Sequence, residues 1–254
     1  MNYRDILKKK VNRRDRNYIG KISPADQQEP FRVVIGDKCT NNCFFCVYDR
    51  PRHKTSAEEI NDQLASIYRQ CIKVDWKPEV VGFSSRGETL FYLDFLKEAS
   101  KTLRRFEKKK GIDTYYYIQT NGILLDVSVL NAFEKMEIDE VRVNLSASGY
   151  SPNVIAKLQK VKQKGFITTV EVPSWPLDRE ALFKLLPIFE KINLDHLVLA
   201  EMEVTPYNKK DIINEYPDVQ IPKCVYDEGL AYDIMDEVEG NYSYSVLDQC
   251  LALM

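Results

Sequence analysis

The residues Phe31-Arg-Val-Val-Ile-Gly-Asp-Lys-Cys39-Thr-Asn-Asn-Cys43-Phe-Phe-Cys46 decide how the rest of the chain is interpreted. Their first part is an apolar run that predicts a β-strand over 31–36, and a loop with three cysteines follows it directly. A cubane iron–sulfur cluster normally takes a cysteine on each of its four irons, so three thiolates are one too few. A cluster held by Cys39, Cys43 and Cys46 would therefore leave one iron open to a substrate or cofactor.

Apolar runs alternate with amphipathic segments after this loop. The runs predict strands over 31–36, 79–84, 114–120, 140–146, 167–172 and 196–204. The amphipathic segments predict helices over 56–73, 90–110, 125–136, 151–164 and 178–191. Strands that alternate with helices of this length form βαβ units with right-handed crossovers, so the sheet is parallel and curls. We therefore expect an α/β fold, a partial (β/α)₆ barrel similar to a TIM barrel and open on one side.

Composition divides the chain into three parts. Residues 1–30 form an N-terminal extension whose first 16 residues include seven Lys or Arg. We interpret it as a solvated basic helix, with a docking arm for an acidic partner as the alternative. Residues 31–204 form the barrel core. Residues 205–254 are acidic and tyrosine-rich and do not continue the pattern. We predict that this C-terminal extension packs across the barrel or completes its open side.

The overall composition excludes several classes of protein. The 254 residues carry a net charge of −2, with 44% hydrophobic and 29% charged residues, as in ordinary globular proteins. We therefore expect no nucleic-acid partner and no membrane association. A cytoplasmic location would keep the thiols reduced. Cys71 fits a buried helical position, and a second-cluster role for Cys224 and Cys250 stays open.

Polar and apolar side chains alternate near the ends of the predicted strands. The polar set is Ser84, Arg86, Glu88, Gln119, Asn121, Arg142, Asn144, Ser146, Ser148, Thr169, Glu171, Glu201 and Glu203. Helices cover the outside of a barrel and active sites collect at the C-terminal ends of its strands, so we expect this set to point inward. Buried polar groups are costly unless something engages them. The pattern therefore predicts a binding cavity.

The spacing C-x₃-C-x-Φ-C, with the aromatic Phe45 before the last cysteine, resembles the signature of the radical S-adenosylmethionine (AdoMet) enzymes. The resemblance implies that the three cysteines hold a [4Fe-4S] cluster and that AdoMet chelates the fourth iron. An electron from a flavodoxin- or ferredoxin-like donor then cleaves AdoMet into methionine and a 5′-deoxyadenosyl radical, which abstracts hydrogen from the substrate. The family fold is also a partial barrel.

The resemblance extends to an AdoMet site. Ser85-Arg86-Gly87-Glu88-Thr89-Leu90 stands where the family has a Gly-Gly-Glu-Pro motif for the AdoMet amino group, although Arg86 and Thr89 depart from it. The residues assigned to AdoMet on this basis are Phe45, Gly87, Glu88, Thr120, Asn121, Asn144, Ser146 and Met202. The candidates for the substrate cavity are Arg86, Glu171, Glu201 and Glu203.

Three functions remain open. The first is hydrogen abstraction from a polar small molecule or side chain, and the acidic cavity favours a cationic or hydroxyl-rich one. The second is a glycyl-radical-enzyme activase or another peptide-modifying enzyme. The third is a non-catalytic zinc or cluster-binding module with His53 as fourth ligand, although the loop lacks the second ligand pair of zinc sites. The sequence identifies neither the substrate nor the fate of AdoMet.

Overall fold

The computed structural model describes residues 18–21, 23–27, 30–48, 56–73, 78–200, 202–215, 217, 224–225 and 228–249. The basic segment 1–16, His53, Glu201 and Cys250 lie outside the described residues, and the predictions for them stay predictions. Within the described residues, no helix combines the length and the apolar character that crossing a membrane requires.

Strands and helices alternate along the chain. The strands are β1 (Tyr18–Ile19), β2 (Phe31–Val34), β3 (Val80–Ser84), β4 (Tyr115–Thr120), β5 (Glu140–Asn144), β6 (Ile167–Pro173), β7 (His196–Ala200), β8 (Met202–Glu203), β9 (Cys224–Val225) and β10 (Ser245–Gln249). The helices are α1 (Pro24–Gln27), α2 (Ala57–Lys73), α3 (Leu93–Lys110), α4 (Val127–Lys135), α5 (Pro152–Gln163), α6 (Arg179–Lys191), α7 (Lys209–Glu215) and α8 (Glu228–Val238). Short 3₁₀ turns follow β3, β5 and β6, at Thr89–Tyr92, Ser146–Ser148 and Pro176–Asp178.

One sheet organises these elements. Its order is β1-β10-β7-β6-β5-β4-β3-β2, and all neighbours are parallel except β1, which pairs antiparallel with β10. The sheet has two edges, at β1 and β2, so it is not closed. This arrangement confirms the predicted α/β fold and its open, partial barrel.

One predicted strand is wrong in its extent. The predicted strand over 196–204 is divided: β7 lies in the main sheet, whereas β8 pairs antiparallel with β9 in a separate ribbon. The C-terminal extension adds a strand to the open side of the barrel, in agreement with one of its two predicted arrangements, because β10 pairs in parallel with β7. Acidic residues on the exposed face of α8 obscured its apolar period in the sequence. The buried set on that helix is Leu230, Ala231, Ile234, Met235 and Val238.

The two faces of the sheet differ as the sequence pattern predicts. Alternate side chains such as Val141 and Val143 of β5 join the buried apolar core, which also includes Leu158 of α5. Side chains of the other parity include Glu140 and Arg142, which meet polar groups of β4, β6 and α1. The inner face of the barrel is therefore polar.

A buried ion network fills the N-terminal half of this inner face. The Arg142 guanidinium donates from Nη1 to Asp26 Oδ1 of α1 at 2.9 Å and from Nε to Glu140 Oε1 at 2.7 Å. Glu140 also accepts hydrogen bonds from the hydroxyls of Ser23, Tyr115 and Thr169. Burial alone would raise the pKa of Glu140, but Arg142 and the three hydroxyls lower it. The network ties α1 to the strands at the N-terminal end of the barrel interior.

Replacing Arg142 with methionine should destabilise the fold strongly. The change leaves Asp26 and Glu140 buried without their cation, and loss of one partner from a buried ion pair costs about 3–5 kcal/mol. Urea denaturation measures the free energy of unfolding. The matched control, Arg105→Met on the exposed face of α3, should change it by no more than about 0.5 kcal/mol. Equal effects of the two substitutions would contradict this role of Arg142.

Candidate active site

The three-cysteine loop begins where β2 ends, at the C-terminal edge of the sheet. Backbone pairing between β2 and β3 continues past both strands, since Arg86 N–H donates to Gly36 O at 3.0 Å and Glu88 N–H to Lys38 O at 2.8 Å. The segment 86–88 therefore lies directly against the residues that precede Cys39. The cysteine loop and the Gly87-Glu88 motif, which are 41 residues or more apart in sequence, form one structural unit.

Gly87 makes this close approach possible. A Cβ atom at this position would lie 2.3 Å from the carbonyl oxygen of Lys38 and 2.6 Å from that of Asp37. Both contacts are with backbone, which cannot rotate away as a side chain can. The structure thus supplies a steric reason for glycine, and the reason does not depend on a ligand.

Tyr92, which is not among the predicted site residues, supports the start of the loop. Its hydroxyl oxygen accepts hydrogen bonds from the backbone N–H groups of Asp37, at 2.9 Å, and Lys38, at 2.8 Å. Its ring occupies the space beside Gly36, whose φ of +54° also favours glycine. No local motif signals this role, because Tyr92 lies on the turn after β3, 55 and 54 residues from the Asp37 and Lys38 N–H groups that it binds.

Replacing Tyr92 with phenylalanine removes the acceptor of both N–H groups and keeps the ring. The Asp37 N–H is partly buried, and a buried donor left without an acceptor costs about 1–3 kcal/mol, whereas the exposed Lys38 N–H can bind water. We expect this loss in the free energy of unfolding from denaturant titration. Tyr207→Phe is the control, because Tyr207 follows β8 and is 55% exposed, so that its hydroxyl can bind water in either state. An unchanged stability of Tyr92→Phe would contradict the proposed support.

The loop is also tied to the tip of β5. Asn41 Nδ2 donates a hydrogen bond to the carbonyl oxygen of Ala147, and the Cys43 thiol lies 3.8 Å from the same oxygen. Within the loop, Cys46 N–H donates to Cys43 O at 3.1 Å. The Cys39, Cys43 and Cys46 side chains are all partly exposed. Three thiols therefore project from one short, anchored loop at the mouth of the barrel.

An apolar cluster packs on the other side of the loop and brings two predicted AdoMet residues together. Phe44 and Phe45 meet edge to face, with ring centroids 5.2 Å apart, and Phe44 lies 5.8 Å from Trp175. Phe45, Met202, Val204 and Ile212 belong to the same cluster. The cluster places Met202 beside Phe45 of the cysteine loop. The assignment of both residues to AdoMet stays a prediction.

Asn208, also absent from the predicted site residues, links the chain after β8 to the cysteine loop. The side chain is fully buried, and its Nδ2 donates to the carbonyl oxygens of Phe45, at 3.1 Å, and Glu203, at 2.8 Å. Thr205 Oγ1 donates to Val47 O at 3.4 Å. The peptide units around Cys46 are therefore held from the C-terminal side of the barrel.

Glu88, Thr120 and Asn121 form a buried hydrogen-bonded group across the tips of β3 and β4. Glu88 Oε1 accepts from Thr120 Oγ1 at 2.5 Å and from Leu90 N–H at 3.1 Å, and Oε2 accepts from Asn121 N–H at 2.8 Å. Burial raises the pKa of Glu88, and these three hydrogen bonds oppose the rise. Asn121 Nδ2 donates to Thr40 Oγ1 at 2.7 Å, which links the group to the cysteine loop.

The predicted residues on the β5 tip are held by local hydrogen bonds. Asn144 Oδ1 accepts from Ala147 N–H at 3.0 Å. Ser146 Oγ lies 2.9 Å from the Tyr150 hydroxyl, which donates to Asp178 Oδ2 at 2.5 Å. Both residues lie close in sequence to Ala147, whose carbonyl oxygen contacts the loop. The structure therefore brings Asn144 and Ser146 to the same rim as the cysteines.

The substrate-cavity candidates separate into different surroundings. Glu171 lies on the inner face of β6 and accepts from Gln119 Nε2 at 3.0 Å. Arg86 and Glu203 are exposed, and Arg86 forms no ion pair with Glu88 in the described part of the chain. Glu201 is not among the described residues. Of the four candidates, Glu171 alone is shown within the polar interior.

The donor set at the rim fits an iron–sulfur cluster chemically. Three cysteine thiols are the ligands that such clusters take. Among the residues that the structure describes, no three His, Cys, Asp or Glu side chains are gathered tightly enough to hold a metal ion. The fit therefore rests on the thiols themselves and on the loop that Tyr92, Asn121 and Asn208 anchor.

An open parallel barrel with three cysteines beside its first strand and polar groups at the following strand tips defines a class of cofactor-dependent enzymes. The family model of the radical SAM superfamily matches residues 33–172. The match covers more than half of the sequence, and the chain therefore belongs to the radical SAM superfamily. No curated protein matches the chain.

Solved structures of radical SAM enzymes share the fold. Streptococcus suis SuiB bound to S-adenosylmethionine superposes with a TM-score of 0.62 at 19% identity, covering 87% of this chain and 50% of that one. The native enzyme anSMEcpe with bound AdoMet and a peptide gives 0.56 at 14% identity, covering 85% and 63%. Coproporphyrinogen III oxidase (HemN) from Escherichia coli gives 0.55 at 14% identity, covering 82% and 51%. The chain thus spans about half of SuiB and HemN and somewhat more of anSMEcpe.

Proposed function

We propose that the protein is a radical SAM enzyme that reductively cleaves AdoMet and uses the product radical to abstract hydrogen from a polar substrate. The observation that carries the proposal is the anchored loop with Cys39, Cys43 and Cys46 within a radical SAM domain. These cysteines would hold a [4Fe-4S] cluster and leave one iron for AdoMet. The cluster and AdoMet supply the radical chemistry when bound, and the protein supplies binding, orientation and shielding.

The contacts of the residues at the C-terminal strand ends support the roles that we propose for them. We assign Gly87 to the close approach of the β3 tip and the cysteine loop. Glu88 acts through Thr120 and Asn121, because all three of its hydrogen bonds come from protein groups. Asn121 in turn orients Thr40. Asn144 and Ser146 offer polar groups to AdoMet, and Phe45 and Met202 supply apolar surface.

Anaerobic turnover tests this proposal. Reconstituted protein, dithionite and AdoMet should yield 5′-deoxyadenosine and methionine in equal amounts, measured by liquid chromatography and mass spectrometry. Omission of dithionite is the control, since cleavage needs one electron. A reconstituted protein with bound iron and sulfide that forms neither product would contradict the proposal. In the cell we assign the electron to a flavodoxin- or ferredoxin-like donor, and we place the reaction in the cytoplasm.

A protein or peptide side chain is the second candidate substrate. Solved neighbours include SuiB bound to the precursor peptide SuiA, with a TM-score of 0.62, and anSMEcpe with a bound peptide, at 0.56. Sequence identities of 17% and 14% indicate a shared fold and nothing more. A peptide is therefore a candidate substrate for this chain. Cross-linking of the AdoMet-bound enzyme in a lysate of its source, grown in deuterated medium, would favour it if a polypeptide were captured and its deuterium then appeared in 5′-deoxyadenosine. Capture without transfer of deuterium would count against it.

A further inference from the structure

Glu171 lies above the closed ion network at the base of the barrel. In the sheet register it is level with Asn144 of β5 and Val198 of β7, four residues further along β6 than the position paired with Glu140. Its carboxylate is bound through Oε2, which accepts from Gln119 Nε2 at 3.0 Å. Glu171 is therefore between the network below and the strand tips above.

Arg142, the cation beside Glu171, already forms hydrogen bonds to two other carboxylates. Arg142 directs Nε to Glu140, and both Nη atoms to Asp26, whereas its Nη1 is 4.0 Å from Glu171 Oε2. Arg32 is the other inward-parity arginine, but the register places it level with Gly82, Tyr117 and Glu140, towards the base. Glu171 therefore has a long ion pair, at 4.0 Å, with a guanidinium that is hydrogen-bonded to two other carboxylates.

The other oxygen of Glu171 is available to a ligand. Oε1 accepts no hydrogen bond from any described residue, and the side chain is 21% exposed. A carboxylate in a polar interior, bound on one side by a neutral amide and open on the other, favours a charged donor. An anionic group would be repelled there, and a neutral apolar group would leave the carboxylate partly desolvated without compensation.

We propose that Glu171, oriented by Gln119, binds a positively charged ammonium group of the substrate within the barrel. This inference rests on the proposed function, because it concerns the substrate of the same cavity. It narrows the substrate class to molecules or side chains that carry a primary amine, and it assigns Gln119 as a positioning residue. The ion network below fixes the depth at which the amine is held.

Small amines test the proposed site directly. Reconstituted protein with AdoMet bound is titrated with n-butylammonium, n-butanol or butyrate, and binding is followed by saturation-transfer NMR of the probe. We expect the ammonium ion to bind and the alcohol and the anion to bind at least about tenfold more weakly, a difference of about 1.4 kcal/mol. Glu171→Gln should weaken ammonium binding by a similar factor.

Glu98→Gln is the matched control, because it removes one carboxylate from the exposed face of α3, and it should leave ammonium binding unchanged. The inference is overturned if wild-type protein binds no butylammonium, if butanol binds equally well, or if Glu171→Gln binds like wild type while circular dichroism shows a folded protein. AdoMet cleavage in the same wild-type preparation separates the two proposals. Cleavage without ammonium binding rejects this inference alone, and no cleavage rejects the proposed function.

Discussion

Replacing Cys43 with serine is expected to abolish 5′-deoxyadenosine formation and to prevent assembly of a complete cluster. A [4Fe-4S] cluster has four irons and the loop supplies three thiolates. No spare cysteine within the loop can therefore replace a lost ligand. The hydroxyl of serine binds iron far less well than a thiolate. Iron and acid-labile sulfide should both fall well below the wild-type content, and the visible absorption of the reconstituted protein should decrease with them.

Cys71→Ala is the control for loss of a cysteine. Cys71 lies on α2, outside the loop, and the variant should keep the iron, the sulfide and AdoMet cleavage. Wild-type iron content in Cys43→Ser would show that Cys43 is not a ligand. Loss of the cluster in Cys71→Ala with its fold intact would show that the ligand set extends beyond the loop.

The second large effect is expected from Gly87→Ala, although the change adds only one methyl group. The new Cβ would meet the Lys38 and Asp37 carbonyl oxygens at 2.3 and 2.6 Å, so the β3 tip and the cysteine loop must move apart. Overpacking of this kind costs about 1–3 kcal/mol in general. Here the displaced backbone also carries Cys39, and we expect AdoMet cleavage to be lost and cluster content to fall.

Gly111→Ala distinguishes a loss of stability from damage to the site. Gly111 caps α3 with φ +65°, and a Cβ there would meet nothing within 4 Å. Alanine in this conformation costs about 1 kcal/mol, yet Gly111 is far from the loop in the fold. Gly111→Ala should thus lower stability and keep cleavage. Equal cleavage by Gly87→Ala and wild type would contradict the packing argument.

The sequence predicts the chemistry of the loop better than its mechanical support. The spacing of Cys39, Cys43 and Cys46 and the strand–helix alternation are local, and both lead to the correct family and fold. Tyr92 and Asn208 hold the loop through contacts that span 55 and 163 residues. Such contacts depend on the tertiary arrangement of the chain and leave no motif of fixed spacing.

Glu88 illustrates a different limit. Its position in the motif indicates an acidic residue beside AdoMet, but alternation along the strand cannot show which groups hydrogen-bond to it. In the structure, the Glu88 carboxylate accepts hydrogen bonds from Thr120, Asn121 and Leu90, and 1% of the residue is exposed. β3 ends at Ser84 and the chain bends at 86–87, so the inward direction assumed for Glu88 does not follow from Ser84.

The C-terminal extension shows how composition can conceal a repeat of the fold. Its acidic and tyrosine-rich composition hides the strand–helix pattern, although apolar residues of α8 and Val246 of β10 lie in the core. A parallel strand of five residues gains its stability from pairing with β7, and this pairing is not encoded by the strand alone. The barrel thus includes a strand beyond the predicted six.

The central claim is that Cys39, Cys43 and Cys46 each bind one iron of a [4Fe-4S] cluster and leave the fourth iron to AdoMet. Electron paramagnetic resonance of the dithionite-reduced protein tests it most directly, with and without AdoMet. We predict the signal of a reduced [4Fe-4S] cluster, with g values that change when AdoMet is added. Zinc in place of iron, or a cluster signal that AdoMet leaves unaltered, would contradict the account.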